Sequence, residues 1–392
     1  MTPILSLIIP TRERSDYLGH AIRTCMQSSR HDFEILVLDN ASTDNTYEVV
    51  REIKDERIRY DRNDARLSMR DNFEKGIDLS KGEIICFIGD DDGILPNAID
   101  RAIDIFLRYD IDAVSAERVG YFWPDLLTRR KNTALLPRGR GISLLESRKE
   151  LFKLLDDCDY YRLPCLYHGF VRRSLVNKVK QKQSRLFLSS QVDMFSAIAL
   201  SMEGVSYAYS RMPFIINGAS KRSNGAAHFG GGEAREKRLW KIEDDIGFLP
   251  GFDQSLSIGS LIVESALRYS QARSVPLGEI LETRSVEATF NYECALRREA
   301  DRPSCESELL KRSLGIALTV EPNGVTSSVR AVQRAARLVK KFLNSRPIDL
   351  ANKHVNNVYE GAQYFDRMIS SGRTGLLYCP LGQILTAFRI VR

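Results

Sequence analysis

The stretch EIICFIGDDDGILP, residues 83–96, joins a run of apolar residues directly to three consecutive aspartates at 90–92. The apolar run predicts a buried strand, and the glycine and proline after it predict a turn that leads into a helix. Similar strand-and-helix pairs come earlier in the chain, beginning with ILSLIIP at 4–10 and FEILVLD at 33–39. Strands without polar alternation indicate a mainly parallel sheet covered by helices on both faces. The sequence therefore predicts an α/β fold built from repeated βα units.

The βα pattern extends to about residue 115 and then becomes irregular. Before this point we expect a short strand RIRYD at 57–61, helices near 70–79 and 96–108, and a strand DAVSA at 112–116. Each segment has the apolar spacing of its element type. We therefore expect a first half that ends near residue 115.

The remainder divides into a second half at 116–232 and a mainly helical C-terminal region at 233–392. The second half contains the apolar helix pattern SSQVDMFSAIALSMEG at 189–204 and a strand VSYAYS at 205–210. It closes with the Gly-rich INGASKRSNGAAHFGGG at 216–232, which predicts a mobile loop. The sequence thus predicts one domain at 1–232 followed by a helical appendage.

Composition excludes several classes of protein. The chain of 392 residues is 43% hydrophobic and 28% charged, which is typical of a globular protein. We find no apolar run of the roughly 18 residues that a membrane-spanning helix needs, and no basic region of the kind that opens a signal peptide. We therefore expect a cytoplasmic protein. The seven cysteines are scattered without a C-x-x-C pair, which predicts reduced thiols rather than a zinc site. The net charge of +6 is modest, so it allows anionic ligands, and we expect no nucleic-acid partner.

Ligands of open α/β sheets bind beyond the carboxyl ends of the strands, so the residues after each strand carry the chemistry. Three strand ends are rich in polar residues, PTRER at 10–14, DNASTDN at 39–45 and GDDDG at 89–93. Adjacent carboxylates repel one another unless a cation or hydrogen-bond donors offset the repulsion. Oxygen ligands suit Mg²⁺ or Mn²⁺, and Mg²⁺ typically takes one or two carboxylates plus substrate phosphates. The triplet therefore predicts a metal–diphosphate site, and the alternative is a solvated acidic turn.

The other two strand ends strengthen this interpretation. Asp39 ends an apolar strand, where its carboxylate could accept hydrogen bonds from a nucleobase or a ribose hydroxyl. Thr11, Arg12 and Glu13 follow Pro10 and could line the same crevice. At both places, an ordinary polar βα loop is the competing explanation.

The segments 6–29, 33–50 and 81–99 together resemble the nucleotide-binding half of family-two glycosyltransferases, which have the GT-A fold. That family has a strand ending in Pro-Thr, a strand ending in Asp-Asn or Asp-Asp before a Ser-x-Asp turn, and then an Asp-x-Asp segment. The resemblance is strong for residues 3–115, weak for 116–232 and absent for 233–392. It implies a GT-A type nucleotide-binding sheet followed by the helical appendage, with 1–115 binding the nucleotide and 116–232 the acceptor.

The resemblance also implies roles for individual residues of the first half. Six residues are assigned to the nucleotide, and Asp91 is assigned as the first metal ligand; the six are Thr11, Arg12, Glu13, Asp39, Arg70 and Asp90. The family's first aspartate falls on Gly89, so Asp90 or Asp92 is expected to assist Asp91, and Asp92 is assigned to the metal. Arg66, Arg70 and Asn72 lie in the segment that often reaches the nucleotide in this family, although solvation of a helix surface explains them as well.

In the second half, the resemblance places an acidic base at the start of a helix, and Asp193 is the candidate. A carboxylate favoured by the helix dipole is the alternative explanation. His228, in the Gly-rich loop, is assigned as an additional metal ligand or phosphate contact, and His168 is a weaker candidate. Lys221 and Arg222 could neutralise a diphosphate when the loop closes.

The sequence thus leads to an expected function. We expect an inverting, metal-dependent glycosyltransferase that uses Mn²⁺ or Mg²⁺ and a nucleotide-sugar donor, with a UDP-sugar favoured. The acceptor would be a hydroxyl of a glycan or lipid-linked intermediate in surface polysaccharide or glycolipid biosynthesis. A nucleotidyltransferase and a dinucleotide-binding oxidoreductase are disfavoured because the first strand lacks the glycine signatures of those classes. A catalytically inactive nucleotide-binding or scaffold protein of the same fold is the remaining alternative.

Residues 329–343 have the pattern of a basic amphipathic helix. The ordinary explanation is a helix packed on the domain with a solvated cationic face. The other is contact with anionic lipid on the inner face of the membrane, which would suit a lipid-linked acceptor. The sequence is also compatible with a homo-oligomer.

Overall fold

The computed structural model describes residues 2–228, 231–250, 252, 257–296 and 345–371. Within these residues, eleven strands form one mixed sheet. The strands are β1 (Leu5–Thr11), β2 (Phe33–Asp39), β3 (Ile58–Arg62), β4 (Ile84–Phe87), β5 (Gly93–Ile94), β6 (Ala113–Phe122), β7 (Thr133–Pro137), β8 (Ile142–Glu146), β9 (Phe170–Arg172), β10 (Ser206–Ala219) and β11 (Ser345–Asp349).

Helices cover the two faces of this sheet. The described α-helices are α1 (Ser15–Cys25), α2 (Thr46–Glu52), α3 (Met69–Leu79), α4 (Ala98–Arg108), α5 (Ser147–Phe152), α6 (Leu154–Asp157), α7 (Arg173–Gln183), α8 (Val192–Ser201), α9 (Asn224–His228), α10 (Ala234–Glu243), α11 (Ile258–Arg273), α12 (Leu277–Ile280), α13 (Thr283–Leu296) and α14 (Val358–Ser370). A short 3₁₀ helix spans Tyr160–Arg162. Among the described helices, we find none that combines the length and the apolar character needed to cross a bilayer.

The strand order is β11-β7-β6-β9-β4-β1-β2-β3, and β10 lies off this path against β5, β6 and β8. Strand β1 pairs in parallel with β2 and β4, and β2 pairs in parallel with β3. The register places Thr11 opposite Asp39, while Ile8 lies opposite Phe87 near the end of β4. The carboxyl ends of β1, β2 and β4 therefore meet at one edge, as the βα pattern predicts.

Residues of β1 alternate between the two faces of the sheet. Leu5, Leu7 and Ile9 pack into the core on the face covered by α1, α4 and α14, whereas Ile8 packs on the opposite face with α3, α7, α8 and α11. Each such apolar side chain stabilises the fold by about 1.5–3 kcal/mol when fully buried. Because a one-residue slip would exchange the two sets, this alternation fixes the register of the strands.

The predicted α/β class is confirmed, and the described elements of the first half fall where the sequence predicts them. The helix expected near Asp16 begins at Ser15, and the helix expected near Asn45 begins at Thr46. Helix α3 begins after Ser68, whose side chain accepts a hydrogen bond from Asp71 N. This is the capping role that serine favours.

The C-terminal region is helical where it is described between 257 and 296, but it also contributes a strand. Strand β11 pairs antiparallel with β7, and α14 packs against α1. Asn357 caps α14 by accepting from Glu360 N, while the Glu360 side chain accepts from Asn356 N. The described part of 345–371 therefore belongs to the same sheet and core as residues 2–228. The boundary at 232 stays a prediction, and the basic segment 329–343 lies outside the described residues.

The Gly-rich segment 216–232 begins inside a strand, which corrects the expectation of a loop over its whole length. Residues 216–219 are the end of β10 and pair in parallel with β6. Gly218 is required there, because a Cβ at this position would lie 1.8 Å from the carbonyl oxygen of Asp91. Glycine thus marks close packing of two backbones at this point.

Candidate functional site

A cavity of about 420 Å³ opens at the carboxyl ends of β1, β2 and β4. Its inner wall consists of these strand ends, including Thr11 and Asp91. Its outer wall consists of Tyr160–Tyr161, the start of α8, the end of β10 and part of α10. An open α/β sheet binds ligands at this kind of edge. The cavity is therefore the candidate site.

Asp90 is tied to the end of β1. Its Oδ2 accepts a hydrogen bond of 2.8 Å from Thr11 Oγ1, and its Oδ1 accepts one of 3.1 Å from Arg14 Nη1. The carboxylate is almost fully buried. Asp90 therefore positions Arg14 and Thr11 at the cavity wall, next to where the sequence places a nucleotide.

Asp91 lines the cavity and contacts the segment after β10. Its Oδ2 accepts hydrogen bonds from Ser220 Oγ at 2.7 Å, from Ser220 N at 3.3 Å and from Ser223 Oγ. No donor among the described residues reaches its Oδ1. Burial and the neighbouring charge of Asp92 raise the pKa of Asp91 to about 7. A divalent cation at this carboxylate would relieve both effects.

Asp92 is held by protein donors at both oxygens. Its Oδ2 accepts 2.7 Å hydrogen bonds from Gly89 N and Tyr167 Oη and lies 2.7 Å from His168 Nε2, and its Oδ1 accepts a 2.8 Å bond from Gly218 N. Burial opposes ionisation, but the charge and hydrogen bond of His168 together with the other donors lower the pKa of Asp92. The geometry thus favours Asp91 over Asp92 as the carboxylate available to a metal.

Gly89 stands where the family has its first aspartate, and the structure gives a reason for the missing side chain. A Cβ at Gly89 would lie 2.6 Å from Tyr167 Oη and 2.8 Å from Asp92 Oδ2. Real Cβ atoms do not approach so closely. The hydroxyl of Tyr167 and the carboxylate of Asp92 therefore occupy the space that a Cβ at this position would need.

The residues present fit one divalent cation. Asp91 lines the cavity with an Oδ1 that accepts from no described donor, and burial together with the charge of Asp92 raises its pKa. One or two carboxylates plus phosphate oxygens are a common ligand set for Mg²⁺. Within the described residues, no group of three His, Cys, Asp or Glu side chains is placed to form a complete protein cage. Any cation bound here would depend on ligand oxygens as well.

Asp39 is buried at the end of β2. Its Oδ1 accepts a 2.9 Å bond from Ser42 N, and its Oδ2 accepts a 2.5 Å bond from Tyr60 Oη and lies 3.7 Å from Arg62 Nε. Glu13 lies nearby but bonds to the loop after β2, accepting from Thr43 N at 3.0 Å and Asp44 N at 3.1 Å. The structure thus brings both residues to the predicted edge, with Asp39 as the end of a strand and Glu13 as a support for the loop.

The arginines assigned to the nucleotide contact carboxylates of α10 and the residues after it. Arg12 lies 3.2 Å from Glu236 and also pairs with Glu243. Arg70 pairs with Asp245, which follows α10 in the chain. Both arginines line the cavity. Each therefore has a protein anion beside it, and their assignment to the nucleotide stays a prediction.

Asp193 lies in the first turn of α8 and also lines the cavity. Its Oδ2 accepts a 2.8 Å hydrogen bond from Tyr160 Oη and a 3.4 Å bond from Tyr161 Oη. The two tyrosine rings lie with their centroids 4.3 Å apart. The cavity therefore has, besides Asp91, a second carboxylate that is held by its own hydrogen bonds.

The remaining predicted residues are in different positions. His168 is committed to Asp92, and the side chain of His228 lies outside the described residues, so its assignment stays a prediction. Asn72 is buried and accepts a hydrogen bond from Asn63. Arg66 pairs with Glu13 and lies 3.6 Å from Glu243.

Sequence reasoning missed several residues of the site: Arg14, Tyr160, Tyr161, Tyr167, Ser220, Ser223 and Glu236. Arg14 lies two residues after Arg12 in the same strand-end segment and could have been found there. The others come from distant segments with no recognisable motif. Only the tertiary structure brings them to the cavity.

Two sequence comparisons relate this chain to known proteins. Residues 6–172 match the model of glycosyl transferase family 2. The chain is 36% identical over 100 residues to a GalNAc(5)-diNAcBac-PP-undecaprenol beta-1,3-glucosyltransferase of Campylobacter jejuni, which covers 25% of this chain and 32% of that protein. It is 32% identical over 116 residues to the abequosyltransferase RfbV of Salmonella typhimurium, covering 26% and 35%. The matches thus span about a third of the length of these relatives.

Among solved structures, the chain is similar to TarS residues 1–349 of S. aureus in complex with UDP-GlcNAc. The TM-score is 0.46 with 14% sequence identity, and the likeness covers 93% of this chain and 91% of that chain. The fold assignment itself comes from the sheet order of this chain together with the family match.

Proposed function

We propose that this chain, whose residues 6–172 belong to glycosyl transferase family 2, transfers a sugar from a nucleotide-diphosphate donor to a hydroxyl acceptor with inversion. The observation that supports this most directly is that two separately held carboxylates, Asp91 and Asp193, line one cavity. Asp91 has an oxygen free of described donors, and Asp193 is held by two tyrosines. A cation-binding acid and a base are the two groups that such a transfer requires.

The donor is proposed to lie along the strand ends. Asp39 would accept from the nucleobase or ribose, and Arg12 and Arg14 would donate to the diphosphate. A bound Mn²⁺ or Mg²⁺ would supply positive charge for the departing diphosphate, with Asp91 as its protein ligand. A UDP-sugar is the favoured donor.

The acceptor is proposed to enter from the side of Asp193. This carboxylate would take the proton of the attacking hydroxyl, and Tyr160 and Tyr161 would hold it in position. A glycan or lipid-linked hydroxyl, as in surface polysaccharide or glycolipid synthesis, is the proposed acceptor class. Contact with the inner face of the membrane through 329–343 is proposed from the sequence pattern alone.

A first experiment measures sugar transfer and donor hydrolysis with a panel of nucleotide-sugars and Mn²⁺. We expect Asp193→Asn to lower kcat by about 10²–10⁴-fold with little change in donor binding, because only the proton-accepting group is removed. Asp91→Asn should abolish the stabilisation that nucleotide and Mn²⁺ together confer on thermal unfolding. Asp78→Asn, an exposed carboxylate on α3, is the matched control. Wild-type turnover in both site variants would overturn the proposal.

A binding protein without catalysis is the second candidate. It is favoured by Gly89, whose side-chain space is filled by Tyr167, and by Asp92, whose oxygens are both occupied. Titration calorimetry separates the two functions. Metal-dependent nucleotide binding without transfer or hydrolysis over a broad acceptor panel would favour the binding protein.

A further inference from the structure

Three arginines surround one buried carboxylate at the rim of the cavity. Glu236, on α10, is 1% exposed. Its Oε2 lies 3.2 Å from Arg12 Nη2 and 3.8 Å from Arg14 Nη2, and its Oε1 lies 3.5 Å from Arg222 Nε. Glu236 and two of these arginines, Arg12 and Arg14, line the cavity itself. Glu236 thus contacts three cations drawn from two distant parts of the chain, of which Arg12 also pairs with Glu243 and Arg14 with Asp90.

The hydrogen bonding within this cluster is incomplete. Arg14 Nε and Glu236 Oε1 are buried, and neither has a hydrogen-bond partner among the described residues. Burial alone would lower the pKa of Arg14, but the carboxylates of Asp90, Asp91 and Glu236 together raise it. Arg14 therefore stays cationic in a site where one carboxylate does not use all the donors around it.

The chemistry of the cluster fits a larger anion. Guanidinium groups bind phosphate oxygens through paired hydrogen bonds. Asp90 and Glu243 use some donors of this cluster, but Arg14 Nε has no hydrogen-bond partner among the described residues. Arg14 is held at 3.1 Å by Asp90, so its position does not depend on Glu236 alone. Asp90 is adjacent in the chain to Asp91, the metal-ligand candidate. A diphosphate bound by the arginines would thus lie beside the carboxylate that takes the cation.

We propose that Arg12, Arg14 and Arg222 form a diphosphate-binding site that Glu236 occupies in the free protein. The ligand class is the diphosphate of a nucleotide donor or of the nucleoside diphosphate left after transfer. In this respect the inference rests on the proposed function. Binding then requires the Glu236 carboxylate to leave the cluster, so α10 shifts away from the strand ends when the diphosphate enters.

The other ion pairs of α10 and of the residues after it also allow this helix to leave its position. Glu243 pairs with Arg12 and lies 3.6 Å from Arg66, and Asp245 pairs with Arg70. Side-chain ion pairs of this kind can be replaced by ion pairs to phosphate. When only a fraction of the protein is in the state that can bind a ligand, the apparent affinity for that ligand is reduced by the same fraction. Glu236 is therefore expected to reduce the affinity for diphosphate in the free protein.

The test is titration calorimetry with inorganic pyrophosphate as the probe, in EDTA so that no metal contributes. Glu236→Gln keeps the shape of the side chain and removes its charge. We expect it to bind pyrophosphate about 5- to 150-fold more tightly than the wild type, the range typical of coupled sites. Glu243→Gln, which frees one of the three arginines, should give a smaller gain. Unchanged or weaker affinity in Glu236→Gln would overturn the proposal.

The matched control is Glu203→Gln. Glu203 is also a carboxylate between two cations, at 3.1 Å from Lys178 and 2.6 Å from Lys182, but outside the residues that line the cavity. Its variant carries the same change in net charge, and we expect its pyrophosphate affinity to match the wild type. An equal gain in this variant would mean that net charge alone explains the effect, and the proposal would fail.

A second measurement needs no variant. Amide hydrogen exchange of residues 234–243 in the wild-type protein should become faster when pyrophosphate is added, because α10 loses its ion pairs to the strand ends. Slower exchange would mean that α10 closes over the ligand, which would overturn the displacement. Both readouts are independent of sugar transfer. If pyrophosphate displaces α10 but no transfer is found, the proposed function fails and the anion site stands.

Discussion

The two walls of the cavity are held in different ways. The strand-end wall, residues 10–14, 39–42 and 89–92, includes Asp39 and Asp92, which do not line the cavity themselves. Backbone N–H groups and tyrosine hydroxyls fix these two carboxylates. The helix wall, residues 234–245, places Glu236, Glu243 and Asp245 against arginines. Directional donors on a rigid sheet fix a carboxylate in one position, whereas an ion pair between side chains accepts any anion of suitable size. We therefore expect the strand-end wall to keep its position and the helix wall to move when an anion binds.

The largest expected effect is a difference in stability between substitutions of two adjacent aspartates, Asp91 and Asp92. Asp92→Asn should lower the free energy of unfolding by about 3 kcal/mol, because an amide cannot accept from all the donors that Asp92 satisfies and His168 loses its buried partner. Denaturant unfolding measures this change. Asp91→Asn is the control, because its substitution also removes an unfavourable buried charge, and we expect a clearly smaller loss. Equal losses in both variants would remove the distinction between the two aspartates.

A second experiment tests whether Tyr167 fills the space beside Gly89. Gly89→Ala should cost about 1–3 kcal/mol of stability, since the new Cβ would collide with Tyr167 Oη. In a Tyr167→Phe background the same substitution should cost less, with a coupling of at least about 0.5 kcal/mol in the double-mutant cycle. Strictly additive effects would show that Tyr167 is not the obstacle.

The smallest effect is expected on the helix wall. Asp245→Asn removes the partner of Arg70, and the Asp245 side chain is 31% exposed. Partly exposed ion pairs contribute less than about 1 kcal/mol, so the thermal midpoint should change by only a few degrees. Glu203→Gln, which is remote from the cavity, provides the reference. A loss of stability as large as that of Asp92→Asn would mean that the two walls are held equally firmly.

The strand-end wall was predictable from the sequence because its signals lie in short, continuous segments of the chain. Apolar runs identify β1, β2 and β4, and parallel strands bring Thr11, Asp39 and Asp91 to one edge. Asp193 was assigned because the family resemblance implies an acidic residue at the start of a helix in the second half, and the apolar helix pattern after it is local. The roles of these residues in binding and catalysis remain predictions.

The outer parts of the site could not be predicted, because their positions depend on contacts between distant segments. Tyr167 reaches Asp92 across 75 positions of sequence, and Ser220 reaches Asp91 across 129. Glu236 contacts Arg12 across 224 positions. Periodicity describes which face of an element is buried, but it contains no information about which distant side chain meets that face.

Strand β11 and helix α14 also determine which truncated forms of the protein are expected to stay in solution. A chain cut after residue 232 would lose β11 and leave the backbone groups of β7 without their antiparallel partner. It would also uncover apolar surface on α1, where Phe365 and Val358 belong to the same core cluster. Unpaired strand edges and bare apolar patches are the features that lead to aggregation. A fragment of residues 1–232 is therefore expected to precipitate or self-associate during expression.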